Sequence, residues 1–182
     1  MPNPWLSLFI SALTGGLMGA VINVLYQRTA ARCNAKAKEQ AAIHALAAEL
    51  RRSRALCDYN ANLRQDATGP LIQFPTATAQ TVSFAERHHF PRLSRLQDDL
   101  VAYTMGLLQI NQLIELHHLL WTSPEQPSGV SPGAAGRREQ LRMRVADICA
   151  GQVRLEGVGP ENFIVLPKYI DSLSARLKEV GG

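Results

Sequence analysis

Leu93–Trp121, LSRLQDDLVAYTMGLLQINQLIELHHLLW, is the stretch whose reading decides the fold. Leu93, Leu96, Leu100, Tyr103, Leu107, Ile110, Ile114, His117 and Trp121 follow one another in alternating steps of three and four. An α-helix turns once in 3.6 residues, so this rhythm lays an apolar seam along one side for about four heptads. Leu108, Leu113, Leu116 and Leu120 widen the seam, which predicts a helix packed against more than one neighbour. It is expected to be the central helix of an all-α domain.

The segments on either side read as further helices. Gln27 to about Gln65 holds no proline or glycine and is rich in Ala, Arg, Lys, Glu and Gln, all good helix formers. Its distal part is amphipathic: Ile43, Leu46, Leu50, Leu56, Cys57 and Leu63 share one broad face, and Arg51, Arg52 and Arg54 lie mostly outside it as a solvated surface. Thr68-Gly69-Pro70 is expected to end this helix, and Leu71 to Phe74 to connect it to a short helix over 77–88. Thr76 is placed to be its N-cap, and Val82 and Phe84 to anchor it in the core. Beyond the central helix, residues 122–136 carry three prolines and three glycines and predict a loop. Arg137 to Arg154 reads as a helix through Leu141, Val145 and Ile148, with Leu155 continuing the rhythm and Gly157, Gly159 and Pro160 breaking it. Asn162 to Leu166 is a short apolar segment. Pro167 opens a last helix with the stripe Ile170, Leu173, Leu177 and Val180.

The N-terminal end has a different character. Trp5 to Tyr26, WLSLFISALTGGLMGAVINVLY, has no charged side chain and as a helix is about 33 Å long, enough to cross a hydrocarbon core of about 30 Å. It is expected to be a single transmembrane helix continuing into the long helix that follows. Ser11, Gly15, Gly19 and Asn23 recur at every fourth position, flanked by Ala12, Gly16 and Ala20. Small residues in such rows let helix backbones approach closely, so Ser11, Gly15, Gly16, Gly19, Ala20 and Asn23 are candidate transmembrane helix-packing residues. Their partner would be another transmembrane helix, from a second copy or from another protein.

Of the 182 residues, 19 are Lys or Arg and 15 are Asp or Glu. The mild basic excess gathers after the apolar stretch, in TAARCNAKAKEQAA, and gives no reason to expect a nucleic-acid partner. Arg28, Arg32, Lys36 and Lys38 precede the first acid, Glu39, and are candidate contacts to lipid headgroups. Basic residues close to a span stay on the cytoplasmic side, which predicts the N-terminus outside and the C-terminal domain in the cytoplasm. The lipid bilayer is the expected surface partner. The resulting division is an anchor at 1–27, a basic stalk at 28–42, and a helical domain at 43–182 forming an antiparallel bundle of about four helices. The three cysteines, Cys33, Cys57 and Cys149, have no close spacing that would suggest a zinc site or disulfide framework, and read as small buried or interfacial side chains.

The layout resembles that of uncharacterised small bacterial single-pass membrane proteins. These carry a Gly-rich N-terminal span, a basic stretch, and an Ala/Leu/Glu/Arg helix such as ALAAELRRSRALCDYN at residues 45–60. The resemblance covers the first third of the chain and implies a layout and no activity.

Signs of catalysis are few. Glu86-Arg87-His88-His89 and Glu115-Leu116-His117-His118 are both Glu-x-x-His, the spacing that puts a carboxylate and an imidazole on one helical face. Two such motifs with two more glutamates, for which Glu49 and Glu139 are at hand, build the di-iron or di-manganese site of carboxylate-bridged bundles. The heptad opposes this, because Glu115 falls at an outward b position and only His117, at d, points inward. His117 then reads as a seam residue, and His88, His89 and His118 as surface residues. Asp98-Asp99, near the start of the central helix, suits the helix dipole. Nucleotide-binding, serine-hydrolase and zinc-protease motifs are lacking, and no cofactor or small-molecule substrate is identifiable. The leading expectation is a non-enzymatic, membrane-tethered interaction protein, an accessory or scaffolding subunit of a membrane complex. A di-metal bundle is the alternative, and an envelope-spanning or lysis protein a weaker one.

Overall fold

A computed structural model describes the backbone of residues 4–65, 69–122, 132–156 and 163–181; the side chains of 4–22, 121–122, 132, 134 and 156 lie outside the description. The described residues are mostly helical, in agreement with an all-α chain. Five α-helices follow in order: α1 Pro4–Asn62, α2 Ala77–Phe84, α3 Gln97–Thr122, α4 Pro132–Cys149 and α5 Leu166–Gly181. A 3-10 turn, Leu93–Leu96, leads into α3, and two short strands, β1 Leu155–Glu156 and β2 Phe163–Ile164, pair antiparallel between α4 and α5. The chain divides into two compact units, residues 1–40 and 41–182.

In the second unit, the seam of α3 is the middle of the core. Leu93, Leu96, Leu100, Tyr103, Leu107, Ile110, Ile114 and His117 are all buried. All but His117 join Ile43, Leu46, Leu50, Cys57 and Leu63 of the α1 side, Val145 and Ile148 of α4, and Leu166, Ile170, Leu173 and Leu177 of α5 in one apolar cluster. α3 packs against α2, α4 and α5. The widening of the seam is one-sided: Leu113 packs on the core, whereas Leu116 is half exposed.

Polar side chains hold what the apolar seam does not. Residues 70–76 run without regular structure between α1 and α2, and their backbone groups need partners. The Asn60 amide, fully buried, donates to the Ile72 carbonyl at 2.9 Å and accepts from the Ile72 N–H at 3.1 Å. Asn111 of α3 does the same for Phe74, at 2.9 and 2.8 Å. Each amide thus stands in for a neighbouring β-strand, which would exchange the same pair of bonds. Glu49, buried in α1, accepts the Thr78 and Ala79 N–H groups at 2.8 and 3.1 Å. It caps α2 through space, and its negative charge meets the positive end of the helix dipole. At the other end of α2, the Gln97 side chain donates to the carbonyls of Ser83 and Ala85 at 3.0 and 2.6 Å.

Several expected boundaries move. Thr76 makes no side-chain cap bond, because Glu49 has taken that place. The short helix stops at Phe84 rather than at 88, and Phe84, expected in the core, is 68% exposed. The helix after the loop starts at Pro132, five residues before the expected Arg137, so residues 132–136 leave the predicted loop; 123–131 lie outside the described residues. It ends at Cys149 and not at the later glycines. Gly151, with φ of 74°, the Gly151 N–H to Ile148 carbonyl bond and the Gln152 N–H to Asp147 carbonyl bond form a Schellman stop. A side chain there would also meet Val165 at 3.2 Å. Within the short apolar segment 162–166, Phe163 and Ile164 form β2.

The expected single-pass membrane topology is corrected. Among the described residues no helix is long and apolar enough to cross a membrane. From Asn23 onward α1 is studded with Arg28, Arg32, Lys36, Lys38 and Glu39, so no long window of that part is free of charge. The predicted placement, N-terminus outside and C-terminal domain cytoplasmic, is withdrawn with the span it depended on. The side chains of Ser11, Gly15, Gly16, Gly19 and Ala20 lie outside the described residues.

Leu107 has no solvent exposure and sits mid-seam. Leu107→Ala should cost about 2–5 kcal/mol in a chemical denaturation experiment. Asn60→Leu, which leaves the Ile72 N–H and carbonyl without their partner, should cost about 1–3 kcal/mol per orphaned group. A wild-type midpoint for either variant would mean that the core or the connector is held differently.

Candidate functional site

α5 is amphipathic in the simplest way. Leu166, Ile170, Leu173 and Leu177 enter the core, which leaves Lys168, Ser172, Arg176 and Glu179 along its flank at helical spacing. Opposite them stand the 3-10 turn and the first turn of α3. Their inward residues are Leu93, Leu96 and Leu100, and their flank carries Arg92, Arg95 and Asp99. Two open clefts form between these flanks.

The first cleft, about 560 Å³, is lined by Pro91, Arg92, Arg95, Leu96, Arg176, Glu179 and Val180. The second, about 450 Å³, is lined by Asp99, Arg154, Phe163, Ile164, Val165, Lys168, Tyr169 and Ser172. Asp99 ties their walls together: one carboxylate oxygen lies 2.7 Å from Arg176, and the other accepts the Tyr169 hydroxyl at 3.2 Å. Burial and the adjacent Asp99 charge raise the Tyr169 pKa well above its ordinary value, so the phenol stays protonated as a donor. Among the described residues that line the two clefts, Arg92, Arg95, Arg154, Lys168 and Arg176 are cationic, and Asp99 and Glu179 are acidic. Leu96, Val180 and the half-exposed Phe163 add apolar surface.

Of the polar and charged residues of this site, only Asp99 stands out in the sequence, as a helix-dipole residue. The spacing of Arg92, Arg95 and Asp99, and that of Lys168, Ser172 and Arg176, marks two helical flanks. Their juxtaposition across α3 and α5 is a tertiary fact.

The other candidates are dispersed. Arg28, Arg32, Lys36 and Lys38 are exposed on α1, and Asn23 is exposed and accepts a bond from Gln27 at 3.4 Å. Arg51 and Arg52 are exposed as expected, while Arg54 pairs with Asp58 and with Asp171 at 3.2 Å. The four carboxylates and two histidines of the imagined di-metal core do not converge. Glu49 is committed to the α2 cap, Glu115 is exposed, Glu139 pairs with Arg142, and Glu86 and His89 lie on an exposed turn. Cys33 is exposed, whereas Cys57 and Cys149 are buried side by side. The hydrogen bond to Cys57, then burial, raises the Cys149 pKa, which keeps that thiol inert.

His117 is the one histidine turned into the core, as the heptad requires. It is buried, and among the described residues its Nδ1 has no hydrogen-bond partner. Burial lowers its pKa, with His118, Arg138 and Arg142 adding to the effect and Glu139 opposing it. Arg142, itself buried, donates to both Glu139 oxygens and to the Leu63 carbonyl, tying α4 to the end of α1.

No protein-family model, curated protein or solved structure gives a significant match to the chain.

The lowered pKa of His117 sets the sign of a pH effect. The folded protein favours the neutral ring, so its contribution is complete above about pH 6.5 and is lost as the pH falls toward the lower folded value. His117→Gln should flatten the acid limb of the stability–pH curve between pH 7 and 5, measured by thermal melts. An unchanged acid limb would assign that limb to other groups.

Proposed function

We propose that the chain is a non-enzymatic interaction protein, an accessory or scaffolding subunit, and that its α3–α5 face docks an acidic, amphipathic segment of a partner protein. The observation that carries this reading is the pair of adjoining clefts, with five cationic side chains against two carboxylates and apolar floors between them. An acidic helix or extended segment supplies both complements: carboxylates for the arginines, whose planar forks suit them, and apolar side chains for Leu96, Val180 and Phe163. In this reading α1, α3, α4 and α5 form the antiparallel bundle expected from the heptads. The bundle's task is to keep the two flanks at a constant separation.

The di-metal alternative is the weaker one, since its glutamates are engaged elsewhere or exposed.

The test is binding of the full-length protein to a labelled acidic amphipathic peptide, followed by fluorescence anisotropy. Arg95→Glu with Lys168→Glu should weaken binding by at least about tenfold, because each reversal sets like charges against each other. Added salt should weaken the parent complex, as exposed charges are screened within about 10 Å at 0.1 M. Reversing Arg51 and Arg52, which are exposed away from the clefts, should leave it intact. A reversed-charge cleft that binds as well as the parent would overturn the assignment of this face.

A further inference from the structure

Among the described residues, one group of side chains has the composition of a metal site, and it is outside the clefts. Glu86, His88 and His89 each offer one ligand atom, and these atoms lie within 4.8 Å of one another. They share a single turn. After α2 ends at Phe84, Ala85 is extended, and the His89 N–H bonds back to the Glu86 carbonyl at 2.9 Å. The closed turn puts His88 Nδ1 3.2 Å from a Glu86 oxygen and stacks the two imidazoles with centroids 4.2 Å apart.

The turn is held from both sides. Upstream, Gln97 grips the carbonyls of Ser83 and Ala85. Downstream, the Ser94 N–H bonds the Phe90 carbonyl at 2.9 Å and its hydroxyl the Pro91 carbonyl at 2.7 Å, while Phe90 packs on the core. Arg87, the one cation within the turn, is directed to Asp98 at 3.7 Å. The backbone is therefore preorganised, and the three exposed ligand side chains are free to close in by rotation about their own bonds.

We propose that the Glu86–His88–His89 turn binds one divalent transition-metal ion of the zinc, copper or nickel class. One nitrogen of each imidazole and one Glu86 oxygen serve as ligands, and water fills the remaining positions. Two imidazoles and a carboxylate suit these borderline ions; calcium and magnesium, which prefer oxygen ligands, are disfavoured. Tetrahedral zinc with bonds of about 2.0–2.1 Å needs donors roughly 3.3 Å apart, a modest contraction from the present spread. The ion binds imidazole in its neutral form. With the ion bound, Glu86 near the exit of α2 is cross-linked to His88 and His89 of the same turn.

The test uses untagged full-length protein stripped with chelator, titrated calorimetrically with zinc and separately with copper, with Cu(II) EPR as a second readout. The parent should bind one ion at this turn, with nitrogen hyperfine structure in the copper spectrum. His88→Ala with His89→Ala should weaken binding at least about tenfold and remove that hyperfine pattern. Glu86→Gln should weaken binding by a smaller factor. His118→Ala and Cys33→Ser should change neither readout. All these side chains but His118 are exposed, so thermal melts should show the variants folded. A parent that binds no ion, or a double variant that binds as the parent does, overturns the proposal.

Discussion

The segment between α1 and α2 lies against the core and must have its backbone groups satisfied there, and the rest of the domain is arranged around how that is done. Residues 70–76 form neither helix nor strand, yet Leu71 and Phe74 are buried. A buried N–H or carbonyl without a partner costs about 1–3 kcal/mol. Asn60 and Asn111 each satisfy both groups of one residue, and Glu49 and Gln97 satisfy the two ends of α2. Four side chains from α1 and α3 thus do the work of a missing strand and two helix caps. They also specify register, because an amide that must meet one residue's N–H and carbonyl together tolerates no sliding.

With the connector held, the apolar seam of α3 can be shared. α2 lies on one side, and α4 and α5 on the others. The buried contacts that cross between helices are not only apolar. The Tyr103 hydroxyl donates to Ser53 at 2.8 Å, and the Ser83 and Thr104 hydroxyls lie 3.2 Å apart. Burial pushes the Tyr103 pKa upward, so it remains a neutral donor at any physiological pH. These pairs sit among leucines that would pack in several registers, and each admits only one.

The same packing produces the cationic face. α5 turns its leucine stripe inward, so its Lys168–Arg176 flank has to emerge beside the α3 entry, where Arg92 and Arg95 emerge for the same reason. Asp99, between them, binds Arg176 and Tyr169 and keeps the two flanks from parting. A cationic excess around apolar patches is a surface suited to an acidic partner, and helices hold it ready. The turn at Glu86–His89 arises differently, from the need to stop α2 early so that the chain can swing into the 3-10 turn.

The all-α class, the central helix and nearly its whole buried seam were determined by the sequence itself. Local periodicity decides which side of a helix is apolar, and an apolar side must be covered. Leu93 through His117 therefore needed no structure to be placed. The inward His117 and the outward Glu115 were legible by the same rule. What only the tertiary structure decided are the contacts between residues far apart in the chain. Glu49 displacing Thr76 as the cap of α2 depends on a carboxylate 29 residues away, and no local pattern encodes that. Phe84 looked like an anchor because it is aromatic on a helix, yet the early end of α2 leaves it outside. Gly151 is one glycine among 13, and its role as a stop appears only once the chain turns back toward Val165. The cationic clefts were illegible for the same reason: each flank is ordinary alone, and the face exists because α5 returns to lie beside the start of α3.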